Sequence, residues 1–301
     1  MNEWYKDKKK EVQLFFSDYG KLFFMSLILI SFIICLSSLS AIVSSKKLRV
    51  SFLDIGQGDS ILIQTPGGHD MLIDGGGDLR VLEKIAKELS YFDHHLDVMV
   101  ATHPDADHIT GLVSVLRKYD ISHIVISPID GHTGVFDELQ KSISDEHAEV
   151  HVGKKGDEII FGDGVVAHIL YPGAIFHGDK KDTNSASVSL VITYGSESIL
   201  LTGDLPSTHE GELLGEALPH NVTIYKAGHH GSKFSSGEQL LSYIKPEYAV
   251  ISAGKDNKYG HPNPEALARL AVYSQEIIST IDRGTISFLL DGRTSFLKTT
   301  K

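Results

Sequence analysis

The segment 102–111 constrains this chain more than any other, because it brings four potential metal ligands into six consecutive residues. An apolar run at 98–101 precedes the segment and predicts a buried strand, while the apolar residues within 112–119 predict a helix. Side chains at a strand-to-helix turn lie at the edge of a sheet, where α/β proteins place their functional sites. The potential ligands are His103, Asp105, Asp107 and His108.

Carboxylates and neutral imidazoles together suit zinc, manganese or iron. The alternative is an acidic loop whose carboxylates cap the following helix, but capping needs one carboxylate and no histidine. The single cysteine, Cys35, lies in an apolar run, so an internal disulfide and a thiolate zinc site are both excluded for this sequence. Metal ligands must therefore be His, Asp or Glu.

Length and charge limit the possible classes of protein. The 301 residues, 42% of them hydrophobic, suffice for one large domain or two small ones. The formal net charge of −11 argues against broad electrostatic binding of nucleic acid. A local basic groove, or phosphate held by metal ions, is compatible with this charge.

Residues 22–45 carry no charged side chain and are long enough to span a bilayer. We predict a short polar segment at 1–21, a transmembrane anchor at 22–45 and a folded domain at 46–301. Five lysines precede the span and three basic residues follow it, which favours an N-terminus inside the cell and a folded domain outside. The alternative is a secreted protein whose signal peptide is cleaved within 37–45; the long polar lead favours an uncleaved anchor.

After the anchor, the sequence alternates strands, β/α units, strands and β/α units again. Strands predicted at 48–52, 60–64 and 71–73 form an antiparallel meander that ends in Asp74 and three glycines at 75–77. The glycines indicate either a backbone that passes close to another group or a flexible turn. The order of elements predicts two β/α halves packed sheet on sheet with helices outside, so that ligand turns meet along one edge.

Three later turns add candidates that are ambiguous one by one. Asp204 follows an apolar strand, where an ordinary turn is the simpler explanation. His229 and His230 lie between glycines after another strand, and a solvated histidine pair is the alternative there. His261 lies in a Tyr-Gly-His-Pro loop.

Taken together, the motifs at 103–108, 202–204 and 229–232 resemble those of the metallo-β-lactamase superfamily. The motifs at 52–60 and 259–262 are typical of one subgroup, the C-terminal metallo-hydrolase domain of ComEC, the competence DNA-uptake protein. The resemblance covers about residues 48–298. It implies an α/β (α+β) fold, a four-layered αβ/βα sandwich, preceded here by one transmembrane helix.

The resemblance also implies a dinuclear metal site. Carried over position by position, His103 and Asp105 would hold one ion. The second ion would be held by Asp107, His108 and either His229, which we favour, or His230, with Asp204 bridging.

This sequence departs from the superfamily pattern at the first metal position. The superfamily usually has a histidine where Asp105 stands and another before the bridging aspartate, whereas 182–187 contain none. Harder ligands make manganese more plausible. The expected cofactors are therefore two divalent ions, zinc or manganese.

A two-ion site suits hydrolysis, because the ions lower the pKa of a bound water and clamp an oxyanion. The expected function is a membrane-tethered metallo-hydrolase of a bacterial cell, a phosphodiesterase or nuclease whose substrate could be single-stranded DNA. The alternatives are an extracellular hydrolase of small or cell-surface phosphodiesters resembling a phosphocholine esterase, a lactamase, or a non-catalytic binding module. The expected partners are the phosphodiester substrate and the lipid bilayer at residues 22–45, and no protein partner can be predicted from the sequence.

Several further residues are expected to assist the chemistry. The catalytic candidates are Asp107, His261 and Lys226, of which His261 could protonate a leaving group because histidine titrates near neutrality. Asp74 is expected either to orient a ligand histidine or only to end a strand. The remaining candidates, for supporting the ligands or contacting substrate, are Asp59, Asn184, Ser187 and Lys233, although a solvated lysine is the simpler explanation for Lys233 and Lys226.

Overall fold

A long helix, α1 (Glu3–Ser44), forms one of two compact units, Met1–Lys46 and Lys47–Lys301, in the computed structural model. The structure describes residues 3–44, 47–90, 93–176 and 182–301. Within α1, Tyr19–Leu36 has a mean hydropathy of 2.2 and is long and apolar enough to cross a membrane, a test that signal sequences also pass. Ser45, where the predicted anchor and cleavage region end, and the basic Lys46 lie outside the described residues.

The described part of 47–301 builds two sheets from short strands, most of which carry buried apolar side chains. The strands are β1 (Leu48–Phe52), β2 (Ile61–Gln64), β3 (Asp70–Ile73), β4 (His95–Ala101), β5 (Asp120–Ile126), β6 (Glu149–Val152), β7 (Glu158–Ile160), β8 (Val165–Tyr171), β9 (Ser189–Tyr194), β10 (Glu197–Leu201), β11 (Ile224–Lys226), β12 (Tyr248–Ile251), β13 (Glu276–Ser279), β14 (Ile286–Leu290) and β15 (Ser295–Thr299).

The first sheet has the order β15-β14-β1-β2-β3-β4-β5-β6, and the second has the order β13-β12-β11-β10-β9-β8-β7. Strands β3 to β6 run parallel in the first sheet, and β10 to β13 run parallel in the second. The predicted meander of β1, β2 and β3 is antiparallel. Loops at the carboxyl ends of the parallel strands carry the candidate ligands, as expected for α/β proteins.

Helices cover the outer face of each sheet. Apolar side chains of α2 (Arg80–Glu88), α3 (Ala106–Leu116) and α4 (Gly134–Asp145) pack on the first sheet. The short polar helix α5 (Ser207–Glu210) contacts α6 (Glu238–Ile244), and apolar side chains of α6, α7 (Pro264–Tyr273) and α8 (Thr280–Arg283) pack on the second sheet. A third apolar cluster, including Phe52, Val165 and Phe288, fills the space between the sheets. The predicted four-layered αβ/βα sandwich is therefore confirmed.

The glycines after β3 bring two backbones into contact. Gly75 N donates to His108 O at 2.7 Å, and Gly111 N donates to Gly76 O at 3.0 Å. A Cβ added to Gly111 would lie 1.9 Å from Gly75 O, so only glycine allows α3 to approach this closely. The close backbone approach predicted from the glycine run is confirmed.

The helix predicted at 112–119 begins earlier than expected and ends earlier too. Asp105 is the N-cap residue of α3, so Asp107 and His108 lie in the first turn of the helix. His108 is buried, and the partly exposed Asp107 lies 3.4 Å from His230 of the second half. These polar side chains interrupt the apolar periodicity by which a helix start is recognised.

Candidate metal centre

One carboxylate oxygen, Asp204 Oδ2, lies at the centre of the candidate site. It is 3.3 Å from His108 Nε2, 3.4 Å from His230 Nε2 and 3.5 Å from His229 Nε2. His103 Nε2 lies 3.9 Å away. Four imidazoles therefore face a single buried carboxylate, whose other oxygen has no hydrogen-bond partner.

The two sheets contribute to this cluster from opposite sides. The first sheet supplies His103, directly after β4, and His108, in the first turn of α3. The second sheet supplies Asp204 after β10, and His229 and His230 after β11. The carboxyl ends of parallel strands from both halves thus meet, as the order of elements predicts.

Asp74 fixes the orientation of His108. Its Oδ2 lies 2.7 Å from His108 Nδ1 and accepts a hydrogen bond of 2.7 Å from Thr102 Oγ1, while its Oδ1 accepts from Thr102 N at 2.9 Å. Because His108 Nδ1–H donates to Asp74, the Nε2 atom is the one directed at Asp204.

The same threonine sets the tautomer of His103. Thr102 Oγ1 has one proton and gives it to Asp74, so it accepts from His103 Nδ1 at 3.0 Å. The His103 Nε2 atom is then left without a proton, buried and without a hydrogen-bond partner. An unprotonated imidazole nitrogen can coordinate a metal ion, so His103 Nε2 is a candidate ligand.

His229 and His230 reach Asp204 from an uncommon backbone. Both have positive φ, 49° and 55°, in the left-handed region that side chains other than glycine rarely adopt. His230 is fully buried, and its Nδ1 donates to Ser252 O at 3.1 Å, which leaves Nε2 facing Asp204. His229 is partly exposed and lies nearer the solvent. The strained backbone thus occurs at the two residues whose side chains both point at Asp204 Oδ2.

A buried ion pair lies behind the cluster. Asp59 Oδ2 is 2.9 Å from Lys226 Nζ, and Asp59 Oδ1 is 3.2 Å from His230 Nδ1. Burial disfavours the charge on Asp59, but Lys226 and His230 outweigh it and lower the pKa of Asp59 to about 2. Ligand atoms of Asp59, His108, Asp204 and His230 all lie within 4.8 Å of one another.

Asp105 and Asp107 flank this cluster. Asp107 Oδ2 lies 3.4 Å from His230 Nε2, and Asp105 Oδ2 lies 3.9 Å from His103 Nε2. Although Asp105 is the N-cap residue of α3, its side chain makes no capping bond and instead accepts from Thr183 Oγ1. Thr183 lies in the stretch 182–187 that lacks the expected histidine.

The charges of the cluster suit a cation. Burial disfavours ionisation of Asp204, but His230 and His108 hold its pKa well below the usual range. Burial likewise opposes protonation of His108 and His230, but Asp204 and the neighbouring carboxylates raise the pKa of both. Protons on these histidines balance the carboxylates, and a divalent ion would take the place of such protons on binding.

The donor set therefore fits the metal ions expected from the sequence. Three imidazoles have their Nδ1 atoms hydrogen-bonded away from the centre and their Nε2 atoms directed toward Asp204. Two buried polar atoms of the cluster, His103 Nε2 and Asp204 Oδ1, have no hydrogen-bond partner. Imidazole and carboxylate together suit zinc, manganese or iron.

The other predicted residues lie at varying distances from this centre. Ser187 Oγ accepts from Asp204 N at 3.2 Å, and Asn184 Oδ1 is buried without a partner. The His261 ring centroid lies 5.4 Å from that of His229, and burial, with the neighbouring histidines, lowers the pKa of His261 to about 4. Lys233 is exposed and lies over the Phe234 ring.

A two-sheet α/β sandwich with this cluster defines a metallo-hydrolase fold with a candidate metal site. The chain belongs to the metallo-beta-lactamase superfamily, whose family model matches residues 53–255. Among solved structures it is similar to the metallo-beta-lactamase fold protein YhfI from Bacillus subtilis, with a TM-score of 0.51 and 14% identity over 79% of this chain and 98% of that one. It is also similar to CmlA, a diiron beta-hydroxylase from Streptomyces venezuelae, with a TM-score of 0.50 and 12% identity over 77% of this chain and 52% of that one. At such identity these likenesses show the fold alone.

The curated relatives include competence-related proteins. ComE operon protein 3 of Bacillus subtilis is 30% identical over 83% of this chain and 34% of its own length. Recombination protein 2 of Haemophilus influenzae is 27% identical over 79% of this chain and 28% of its own length. The chain thus spans about a third of the length of these relatives, and it fits a ComEC-like metallo-beta-lactamase domain.

Proposed function

We propose that the chain is a membrane-tethered, metal-dependent phosphodiesterase or nuclease. The observation that carries the proposal is the convergence of the Nε2 atoms of His103, His108 and His230 on Asp204 Oδ2, at 3.9, 3.3 and 3.4 Å. His103 and Asp105 would hold one ion, and Asp107, His108 and His230 or His229 the other, with Asp204 between them. Such ions, zinc or manganese, would activate water and neutralise a phosphodiester.

Within this proposal the protein residues divide into ligands and residues that position them. Asp74 orients His108, and the Ser252 carbonyl orients His230. Lys226 is fully buried and pairs with Asp59, so we assign it to holding the cluster and not to contacting substrate. His261 is neutral at pH 7 because its pKa is about 4, which suits it to orient a leaving group or to accept a proton.

The surface beside the cluster favours a nucleic-acid strand over an isolated small ester. Tyr259 stacks on His261, with ring centroids 5.8 Å apart, and Lys258 lies over the Tyr259 ring. Phe234 follows the histidine turn, is 65% exposed, and carries Lys233 over its ring. Exposed aromatic rings stack on bases, and adjacent lysines bind phosphates. These lysines supply local positive charge on a chain whose net charge is −11.

The test uses the full chain in detergent, stripped of metal and mixed with single-stranded DNA. We expect cleavage on addition of manganese or zinc, and loss of cleavage in Asp107→Ala. Asp137→Ala, an exposed aspartate on α4, is the matched control and should cleave like the wild type. If the metal-loaded chain leaves DNA intact, the nuclease proposal is wrong, and cleavage of phosphocholine esters would then point to small or cell-surface phosphodiesters.

The membrane part of the proposal depends on α1, whose apolar window is the length of a membrane span. We propose that this helix tethers the domain to a bacterial membrane with the domain outside. A secreted form, cleaved within 37–45, is the alternative. Lipid is then the partner that we propose for α1.

A further inference from the structure

A second group of metal-binding side chains lies on strands β5 and β6, outside the Asp204 cluster. His123 Nδ1 is 3.3 Å from Glu149 Oε2, and His151 Nε2 is 3.7 Å from the same oxygen. One ligand atom from each residue lies within 4.8 Å of the others. All three side chains are exposed, so an ion in solvent can reach them.

The strand register places these three side chains on the inner face of the first sheet. His123 pairs with Glu149, and Val125 pairs with His151. Val125 belongs to the apolar cluster between the sheets, and alternate residues of a strand share a face. The three polar side chains therefore lie on the inner face of the first sheet, near the edge strand β6, whereas elsewhere in the sandwich this face is apolar.

A cleft opens at this edge, because the two sheets are not sealed against each other there. Its volume is about 840 Å³, and residues of β5, β6 and β7 line it, including His123, Glu149 and His151. Asp157 and Glu158 line the same cleft, and Lys154 is the one lysine among its lining residues. The local excess of carboxylates favours a bound cation.

We propose that His123, Glu149 and His151 form a second site for a divalent transition-metal ion of the zinc class. Two imidazole nitrogens and one carboxylate, with a position left open, match the donors that zinc takes in proteins. Calcium and magnesium prefer all-oxygen sites, so they are not expected here. The ion would tie the exposed strand β6 to β5 at the mouth of the cleft.

The experiment is equilibrium dialysis of the full chain against zinc chloride, with bound zinc counted per chain. The double variant His123→Ala/His151→Ala should bind one zinc ion fewer than the wild type. His147→Ala, which removes an exposed histidine just before β6, should bind as many ions as the wild type. Circular dichroism of the metal-free proteins should be identical, since the substituted side chains are exposed.

Two further variants separate this site from the Asp204 cluster. In an Asp204→Ala background the edge site should keep its zinc, and adding the double substitution should abolish it. Glu149→Gln should weaken this binding by at least about tenfold, since even removal of a group that only supports a ligand costs that much. Equal zinc content in the wild type and the double variant would overturn the proposal, whatever the nuclease assay shows.

Discussion

Asp74 is the residue on which the geometry of His108 depends. Asp74→Asn keeps the shape of the side chain. It replaces the charged carboxylate, which accepts hydrogen bonds from His108 and Thr102, by a neutral amide that has a single acceptor oxygen. We expect metal affinity to fall by about 10–100-fold, with little change in fold. Titration calorimetry with zinc measures the effect, and Asp78→Asn, an exposed carboxylate bound to Arg80, is the control. Unchanged affinity in Asp74→Asn would show that His108 needs no such support.

Asp70, at the start of β3, makes stability depend on pH. Burial raises the pKa of Asp70 to about 6, and the nearby Asp93 and Asp97 add to this. The folded state therefore holds the Asp70 proton more tightly than the unfolded chain does, so this residue destabilises the fold progressively as the pH rises from about 4 to 6. Asp70→Asn removes this dependence and should be more stable than the wild type at pH 7 by about 1–3 kcal/mol, with the difference vanishing below pH 4.

Urea unfolding at several pH values from 4 to 7 measures the Asp70 effect. The control is Asp137→Asn, whose exposed carboxylate lies on α4. Its stability should follow the wild-type curve. If Asp70→Asn ran parallel to the wild type over the whole range, the buried carboxylate would not be the group that titrates.

At the residue scale, the candidate metal ligands were easier to predict from the sequence than the residues that position them. His103, Asp204 and the histidine pair could be found because polar residues after apolar strands converge at a sheet edge. Asp59 was expected to support the ligands or to contact substrate, and its carboxylate lies within 4.8 Å of the ligand atoms of the cluster. This position could not be predicted, because a single aspartate in a glycine turn has no distinguishing pattern. The Ser252 carbonyl and Thr102 hydroxyl could not be predicted, because any residue offers a carbonyl and the threonine acts only through contacts made in three dimensions.

Helix α3 depends on Gly111 for its contact with the loop after β3. Gly111→Ala would place a Cβ 1.9 Å from Gly75 O and 2.7 Å from Val81 Cγ1. Because one of these atoms is backbone, the helix must shift, and we expect a loss of about 1–3 kcal/mol in the free energy of unfolding together with weaker metal binding by His108.

Gly134→Ala is the matched control for this substitution. Gly134 begins α4, and a Cβ there meets nothing within 4 Å. Alanine should be neutral or stabilise by up to about 1 kcal/mol. Chemical denaturation of both variants makes the comparison, and equal stabilities would mean that the contact between α3 and Gly75 adapts without cost.

Elements were predictable where apolar periodicity was strong and less so where function interrupts it. The meander and the strand before 102–111 could be recognised from apolar runs and glycine turns. The start of α3 could not, because its first turn carries Asp107 and His108 facing the cluster. The pairing of β14 with β1 could not be read either, since strands distant in sequence pair through contacts that no local pattern encodes.

At the scale of the whole molecule, the proposed attachment to a membrane depends on the apolar window Tyr19–Leu36. An acidic residue near the centre of a spanning helix costs about 2.5–3.5 kcal/mol, so Ile30→Asp combined with Ile33→Asp should prevent stable insertion. Tyr5→Asp, outside the window, should leave it intact. The measurement is the fraction of chain that stays with bacterial membranes after an alkaline carbonate wash, with the mass of the recovered chain determined alongside.

Each outcome of the membrane experiment distinguishes the tether from its alternative. We expect wild type and Tyr5→Asp in the membrane fraction at full length, and the double variant released. A released wild-type chain shortened to a start within 37–45 would mean a cleaved signal peptide, and an intact wild-type chain in the soluble fraction would mean that α1 does not insert at all. Because the Asp204 cluster lies in the separate unit Lys47–Lys301, metal binding by that cluster should be the same in all three proteins, so any loss there would show that the substitutions disturb more than the helix.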